Sequence, residues 1–365
     1  MTSARIFQPM LLALAVTSLM PWDTAYAADR NNDNTCFWGS DNGRIRYEPD
    51  VGALYVARDA RVGDVIGPGP RSFTLGGNGS SVWCRLTDPQ NYRLTLDVAA
   101  SVPPVPVSPW RNVLTTNIPG VGALITFGGN YDGSHPQLWR LNTRDSTVPF
   151  DAYIDWFLPT SLQHSVLRGT VTLIKTGPID PGRHMLDSGR EMLSVSFTNV
   201  PNAMGLYLAG SVTQAECSLS ANPVSADPVE LGDWPHSHFT GEDQTTDPVS
   251  FTIALNSCMS DPLPGGTVTH ANIRLDPTAG SRTLDAAQGI FSLGNGSTAQ
   301  GVGIQILGPD ALTPVALGSE VVQGAIPPSG GMLLEFNARY YQTAPTRDIR
   351  AGSAGGALGF TITYK

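Results

Sequence analysis

Two groups of polar and aromatic side chains in the first half of the chain are of types that bind ligands. One is the glycine-rich stretch 128–135, which is followed by Trp139. Aromatic faces stack on the C–H surfaces of sugars, and polar side chains make directed hydrogen bonds to hydroxyls. A glycine-rich polar stretch of this kind is typical of an exposed binding loop and equally of an ordinary hairpin turn, and both interpretations stay open. The ligand contacts predicted here are Asn130, Tyr131, Asp132, His135 and Trp139.

The second group is the arginine pair Arg44 and Arg46, with Arg58, Arg61 and Arg71 further along the chain. Guanidinium groups pair well with sulfate or carboxylate, so this group predicts binding of an acidic, sulfated or sialylated glycan. The alternative is a solvated face on which these arginines pair with nearby carboxylates. Those carboxylates are Asp41, Glu48, Asp59 and Asp64.

The chain has no GxSxG, HExxH, Walker or GxGxxG pattern. The pair His236 and His238 has no third ligand nearby, so we expect no metal there. Because the catalytic and cofactor-binding motifs are absent, we expect no cofactor and no catalysis. A glycan-active enzyme remains an alternative, because a glycosidase needs only two carboxylates at a defined separation. The nearby carboxylates are Asp132, Asp151 and Asp155.

Composition excludes several classes of protein. The 39 Gly and 29 Pro are too many for a helical bundle, and 41% hydrophobic residues are too many for a disordered chain. The net charge of −9 excludes a globally basic nucleic-acid-binding protein, so no nucleic acid is expected as a partner. Residues 28–203 carry 15 Lys and Arg against 16 Asp and Glu, whereas residues 204–365 carry six against 14. The two halves therefore differ in character.

Residues 1–27 are typical of a signal peptide. Arg5 precedes the mostly apolar stretch 6–20, and Ala25-Tyr26-Ala27 provides a cleavage site. Export to an oxidising space favours disulfides over metal ligation for the four cysteines, which allow three pairings. Two cysteines fall in each half, so the pairing that keeps each bridge inside one domain is Cys36–Cys84 and Cys217–Cys258.

Apolar residues alternate with polar ones in many short stretches separated by glycine-rich turns, which predicts an all-β chain of two β-sandwiches in series. The tract 102–109 holds four prolines, so we expect a loop or an edge strand there. The boundary is placed near residues 201–203, which gives domains of 28–203 and 204–365. The alternating positions are Leu94-Leu96-Val98, Val171-Leu173, Leu193-Val195-Phe197, Phe251-Ile253-Leu255, Val302-Ile304-Ile306 and Phe360-Ile362-Tyr364.

The second half resembles the pilin subunits of chaperone–usher pili. Six blocks occur in the order found in that family, ending with a tyrosine next to last. The blocks are Gly210-Ser211-Val212 with Ala215-Glu216-Cys217, Val229-Glu230-Leu231-Gly232, Phe251 to Cys258, Gly301 to Leu307, Phe336-Asn337-Ala338-Arg339-Tyr340-Tyr341, and Gly359 to Lys365.

The resemblance implies an incomplete immunoglobulin-like sandwich that lacks its last strand. An apolar groove with unpaired backbone on both rims then remains open. In this family a periplasmic chaperone fills the groove, and the N-terminal strand of the next subunit replaces it at the outer-membrane usher. Val212, Phe360, Ile362 and Tyr364 are the residues expected at the groove.

The expected mature start, 28–35, is nearly all polar and leads directly into Cys36. Such a segment would not fill an apolar groove, so we expect the chain to accept a strand without donating one, at the end of a fibre. A pilin that carries an extra N-terminal domain resembles the two-domain tip adhesins of the type 1 and P pilus kind. That resemblance implies a jelly-roll-like lectin domain that binds a host glycan or glycoprotein. It also implies that the protein lies at the tip of a fimbrium on the bacterial surface.

Mannose-specific members of that family use the free N-terminus near the first cysteine and carboxylates soon after the second. Here only Asp88 follows Cys84 closely, so Asp88 is the one candidate taken from that pattern, which does not favour mannose. A minor pilin that caps or initiates the fibre without binding a receptor is the alternative of the structural class. We also expect residues 28–203 alone to be soluble.

Overall fold

The computed structural model describes residues 33–39, 43–133 and 138–365. The predicted signal peptide and His135 lie outside these residues. The described chain is built from β-strands, with single 3-10 turns at Gly129–Tyr131, His236–His238 and Thr346–Asp348. The predicted all-β class is therefore confirmed. Among the described residues, none of the helices has the length and apolar character that crossing a membrane requires.

The first unit is the set of strands β1–β16 together with the start of β17. Its strands are β1 Asn34–Trp38, β2 Ile45–Tyr47, β3 Asp50–Ala57, β4 Arg71–Gly76, β5 Val82–Leu86, β6 Leu94–Ala100, β7 Pro104–Val107, β8 Trp110–Thr115, β9 Val121–Gly128, β10 Arg140–Leu141, β11 Phe150–Ile154, β12 Leu162–His164, β13 Val166–Lys175, β14 Arg183–Met185, β15 Glu191–Phe197 and β16 Val200–Tyr207.

The first unit is a sandwich of a six-stranded and a five-stranded sheet. The six-stranded order is β10-β11-β6-β15-β16-β2, and the five-stranded order is β4-β13-β9-β8-β7. Leu94, Leu96 and Val98 on β6 are buried while the residues between them are exposed, as the alternation predicts. Phe127 of β9 meets Phe150 of β11 edge-on at 5.5 Å between ring centroids, so the two sheets face each other across one core. The proline tract forms β7 at the edge of its sheet, as predicted.

Strand β17, Ala209–Val224, joins the first unit to the second unit, which comprises the rest of β17 and all later strands. Over Ala209–Ala215 it pairs in parallel with β3, and over Glu216–Val224 it pairs with β18 in antiparallel fashion. The two hydrophobic cores divide inside this strand, because Val212 packs in the first core and Ala215 in the second. The strand is therefore shared by both units.

The structure corrects the prediction that Val212 lies at the groove. Val212 has no accessible surface and pairs with Leu54 of β3 on one side and His184 of β14 on the other. The parallel pairing with β3 draws the first half of β17 into the first unit. A pattern taken from the second half of the sequence alone does not contain this pairing.

The second unit packs an extended sheet against a small one. In this unit the large sheet has the order β17-β18-β24-β22-β21-β20, and the small sheet has the order β23-β19-β25. The large sheet continues into the first unit, where β14 and β3 pair with the first half of β17. Among the strands that the structure describes, β25 pairs with β19 alone, as expected for a sandwich without its last strand. The strands are β18 Val249–Met259, β19 His270–Thr278, β20 Thr283–Asp285, β21 Ile290–Ser292, β22 Val302–Leu307, β23 Glu320–Ala325, β24 Met332–Gln342 and β25 Ala357–Tyr364.

Both predicted disulfides are present. Cys36 lies directly opposite Cys84 in the β1–β5 pair, and Cys217 of β17 bonds to Cys258 of β18. Each bridge stays within one unit and closes a loop with a sequence separation of 48 or 41 residues. The first bridge thereby attaches β1, Asn34–Trp38, covalently to β5.

Candidate functional site

The second unit contains an open cleft of about 830 Å³. One wall is the segment 224–234, which follows β17, and the other wall is the segment 350–360, which ends in β25. The apolar side chains that line it come from both sheets and both walls. They include Val224, Val229, Leu231, Phe251, Ile253, Leu275, Phe291, Ile304, Ile306, Phe336, Leu358 and Phe360.

The floor of the cleft is the exposed side of the second hydrophobic core. Phe251 and Phe336 stack at 5.6 Å between ring centroids and form part of this floor. Phe251, Leu358 and Phe360 pack against the core yet remain only partly buried, as does Val229 on the opposite wall. The core is therefore incomplete along this side, and added apolar side chains would bury this exposed surface.

Strand β25 presents main-chain hydrogen-bonding groups toward this side. At the end of the β19–β25 pair, the backbone groups of His270 and Lys365 exchange both hydrogen bonds, at 2.6 and 3.1 Å. Hydrogen-bonded residues alternate with outward-facing ones along an antiparallel pair. The N–H and C=O groups of Leu358 and Phe360 therefore turn away from β19, and they have no strand partner in the part of the chain that the structure describes.

The opposite wall leaves the sheet after Val224, the last residue of β17 to pair with β18. The Ser225 amide still donates to Thr252 at 2.9 Å, and no strand follows until β18. Asp227, Glu230 and Asp233 add carboxylates to this wall.

The carboxylates of this wall affect the pKa of Tyr340, another residue that lines the cleft. Burial raises the pKa of Tyr340, and the charges of Glu230 and Asp233 raise it further. One rim of the cleft is thus acidic, so an occupant with positively charged flanks fits it better than an acidic one.

The predicted groove residues occupy different places. Phe360 lines the cleft. Ile362 and Tyr364 lie on the same face of β25, but both are buried in the second core at its closed end. The Tyr364 hydroxyl donates to the carbonyl of Cys217 at 2.9 Å. Val212 is in the first core, as described above.

The glycine-rich stretch of the first unit contributes to the core more than to the surface. Asn130 is exposed, and Asp132 accepts a hydrogen bond from the Gly129 amide at 3.1 Å within the turn. Tyr131 and Trp139 are 1% and 0% exposed, so the structure corrects their assignment as ligand contacts. Both rings meet at His164, which no sequence pattern had singled out.

His164 is held between two hydrogen-bonding aromatic side chains. The Trp139 indole N–H donates to Nε2 of His164 at 3.3 Å, and the Tyr131 hydroxyl lies 3.2 Å from Nδ1. An indole nitrogen is only a donor, so Nε2 is an acceptor and the neutral ring carries its proton on Nδ1. Burial lowers the pKa of His164 to about 3. This cluster is a neutral buried network that orders the core.

Arg44 and Arg46 come together at one edge of the six-stranded sheet, but both are paired. Arg44 makes an ion pair with Glu191 at 2.8 Å, and the Tyr207 hydroxyl donates to the same carboxylate. The hydrogen bond from Arg44 holds the pKa of Glu191 below its usual range. Arg46 pairs with Glu48 at 2.9 Å and lies over the ring of Tyr207 at 3.5 Å. The positive charges are compensated, as in the solvated-face alternative.

Asp88 lies in a separate turn. Its carboxylate accepts bonds from the amide and the side chain of Asn91, at 3.3 and 2.8 Å. Its own amide donates to Asn34 at 2.9 Å. Asp88 therefore fixes the turn that follows β5.

A different surface of the first unit combines aromatic and charged side chains, and we call it the aromatic–arginine surface. Arg93 lies 3.7 Å above the ring of Tyr153, and Arg140 lies 4.9 Å from the ring of Trp156. Both guanidinium groups pair with Asp155, at 3.7 and 3.3 Å. Two further rings at the same end of the sheet are about half exposed. These are Tyr92, at 54%, and Phe157, at 55%.

Sequence reasoning missed the aromatic–arginine surface because its parts come from three distant segments. Strand β10 pairs Arg140 with Tyr153 of β11, and β11 in turn pairs Tyr153 with Thr95 of β6. The consecutive residues Asp155, Trp156 and Phe157, directly after a strand, were the available signal.

Comparison with known proteins agrees with the geometry of the second unit. The family model described as fimbrial protein matches residues 206–365. The fimbrial subunit type 1 of Salmonella typhimurium is 32% identical over 168 residues, which are 44% of this chain and 82% of that protein. The fimbrial-like protein SfmA of Escherichia coli K12 is 31% identical over 173 residues, which are 47% of this chain and 89% of that protein.

A crystal structure of the CupB6 tip adhesin from Pseudomonas aeruginosa aligns with 90% of this chain and 94% of its own. Its sequence identity is 15% and its TM-score is 0.35. The fimbrial subunits match this chain over most of their own length, and the residues matched by the family model include the second unit. The chain belongs to the fimbrial protein family.

Proposed function

We propose that this protein is the tip adhesin of a chaperone–usher pilus. The second unit accepts a strand from the next subunit, and the first unit binds a host glycan or glycoprotein. The observation that carries this proposal is the cleft beside β25, in which an apolar floor adjoins a strand edge with unpaired main-chain groups. A strand with alternating apolar side chains fits both features, because its backbone pairs with β25 while its side chains fill the core.

The occupant we assign to the cleft is the N-terminal strand of another fimbrial subunit. Another member of the fimbrial protein family would provide this strand. An exposed strand edge of this kind promotes aggregation if nothing covers it. A periplasmic chaperone that covers the edge before assembly, and an outer-membrane usher at which the exchange occurs, complete the set of partners.

The position at the tip is supported by the state of the chain near Cys36. Residues Asn34–Trp38 form β1, which pairs along its whole length with β5 and is bridged to it by the disulfide. These residues are held in a three-stranded sheet of the first unit, in the order β1-β5-β12, and are not free to enter a groove on another molecule. In this proposal the residues Asn34–Trp38 therefore do not serve as a donor strand for another subunit.

A strand peptide tests the proposal on the full chain. The probe is a synthetic peptide of about ten residues that alternates valine or isoleucine with threonine and has lysine at both ends. We expect it to raise the melting temperature of the second unit and to bind with a measurable Kd. A peptide of the same composition with the alternation broken is the control.

Two variants place the peptide in the cleft. Phe360→Ser removes an apolar side chain from the cleft lining and should weaken binding at least tenfold. Leu312→Ser removes a side chain that is 76% exposed and lies outside the cleft lining, so it should bind as the unchanged protein does. Equal binding of the alternating and broken peptides would contradict the proposal.

A further inference from the structure

Part of the free edge of β25 is already occupied by the first unit. The alternation that turns Leu358 and Phe360 away from β19 also turns Ile362 and Tyr364 away. The Asp59 amide donates to the Tyr364 carbonyl at 3.1 Å, and the Tyr364 amide donates to Oδ2 of Asp59 at 2.8 Å. Asp59 thus takes both main-chain groups of Tyr364, as a paired strand would.

Arg58 takes the next acceptor along the same edge. Its Nη2 donates to the carbonyl of Ile362 at 2.9 Å, and its guanidinium lies 4.7 Å from the ring centroid of Tyr364. The groups left for an incoming strand are therefore both main-chain groups of Leu358, both of Phe360, and the amide of Ile362.

Arg58 and Asp59 are held firmly from the first unit and from β17. The Arg58 amide donates to Ala215 at 3.1 Å, and the buried Lys175 donates to the Arg58 carbonyl at 2.6 Å. The Arg58 side chain pairs with Asp59 at 3.0 Å and with Glu216 at 3.6 Å. An incoming strand that continued past Ile362 would have to break this set of contacts.

The shape of the cleft agrees with this limit. Its lining on β25 ends at Phe360, although Ile362 and Tyr364 lie on the same face of the strand. From Ala357 to Ile362 the edge spans six residues, or about 20 Å at about 3.3 Å per residue.

We infer that Arg58 and Asp59 form a stop that sets the length and register of the strand accepted beside β25. This inference rests on the proposed strand-accepting function. The first unit thereby determines where the partner's strand must end, so the second unit selects a strand whose paired part is about six residues long.

The test uses the full chain and a series of alternating peptides of about six to twelve residues, each extended in turn at its N- or its C-terminus. For the unchanged protein, affinity should rise with length and then stop rising for extension at the terminus that meets Arg58. In the double variant R58A/D59A, the same extension should continue to improve affinity by at least threefold. Arg61→Ala, an exposed arginine in the same loop, should keep the original limit.

Hydrogen exchange on the unchanged protein gives a reading that does not depend on how the double variant folds. The Asp59 amide donates to the Tyr364 carbonyl, so it should be protected without peptide and remain equally protected with every peptide length. Exposure of that amide by the longer peptides, or the same length limit in R58A/D59A, would overturn the inference. If no peptide of any length binds the unchanged protein, the strand-accepting function itself fails.

Discussion

Asp59 and Tyr364 hydrogen-bond to each other as neighbouring strands do, although 305 positions separate them in the sequence. Tyr364 also contacts the second unit, because its hydroxyl donates to the carbonyl of Cys217. Tyr364, on the edge of β25, therefore connects Asp59 of the first unit with Cys217 of β17.

Removal of the Tyr364 hydroxyl should destabilise the second unit. Tyr364 is 1% exposed, so Tyr364→Phe leaves the Cys217 carbonyl without its partner in a site that water does not reach. We expect the free energy of unfolding to fall by about 1–2 kcal/mol, as measured by urea denaturation. Tyr92→Phe, at a ring that is 54% exposed, should change it by less than about 0.5 kcal/mol. Equal effects of the two variants would contradict this account.

Acid should destabilise the first unit through His164. In the unfolded chain this residue titrates at its ordinary pKa of 6.5, whereas in the folded chain burial lowers the pKa to about 3. Between these two values the unfolded state binds a proton that the folded state does not bind. Stability is therefore unaffected by this group above pH 6.5 and is lost as the pH falls below it, by up to about 1.4 kcal/mol per pH unit.

Denaturation curves of the full chain at several pH values between about 4 and 7 measure this slope. His164→Gln removes the titrating group while keeping an acceptor for the Trp139 indole, so its pH dependence should be flatter by close to one proton. His236→Gln, at an exposed histidine of the second unit, should keep the original slope. An unchanged slope in His164→Gln would contradict the assignment.

Several strands of this fold are visible in the sequence because they bury mainly one face. Leu94, Leu96 and Val98 alternate with exposed residues, and the same holds for Phe360, Ile362 and Tyr364 against Thr361. The disulfide pairing follows from the same reasoning, since each bridge links strands of one unit. Local periodicity and chain order are sufficient for these features.

The contacts between distant segments could not be obtained in this way. The parallel pairing of β17 with β3 places Val212 in the first core, and nothing in the residues around Val212 specifies that partner. Tyr131 lies in a glycine-rich turn that is typical of a surface loop, yet His164 provides a buried partner for its hydroxyl. Arg93 and Arg140 meet at Asp155 only because β6, β11 and β10 are neighbours in the sheet.

The division of the cores inside β17 predicts where the first unit can be separated. A fragment of residues 28–203 ends within β16 and lacks four buried side chains of the first core. They are Met204, Leu206, Leu208 and Val212. Each contributes roughly 1.5–3 kcal/mol by burial, and together they approach the whole stability of a typical domain. This fragment should aggregate, contrary to the expectation from the sequence.

A fragment of residues 28–216 is the matched comparison, because it keeps β16 and the part of β17 that pairs with β3. It should be monomeric in sedimentation and show a cooperative thermal transition. If residues 28–203 prove equally soluble and cooperative, the pairing of β17 with β3 is not needed for the first unit.

The aromatic–arginine surface is the part of the first unit that we expect to contact a receptor. Its two arginines share one carboxylate, Asp155, so these three side chains carry one uncompensated positive charge. Arg44 and Arg46, in contrast, each pair with a carboxylate of their own. Rings exposed beside such a charge suit a sugar that carries sulfate or carboxylate, since the ring stacks on the sugar while the guanidinium binds the anion.

A glycan array with the full chain, including sulfated and sialylated sugars, measures this preference. Phe157→Ser should reduce binding to every bound glycan at least tenfold, because it removes an exposed stacking surface. Arg140→Ala should reduce binding to acidic glycans most and should make the remaining binding less sensitive to salt. The controls are Val62→Ser, at a side chain that is 58% exposed, and Arg144→Ala, at an exposed arginine. If substitutions at Arg44 and Arg46 abolish binding while Phe157→Ser and Arg140→Ala leave it intact, the receptor contacts the opposite edge of the sheet, where those two arginines meet Glu191 and Glu48.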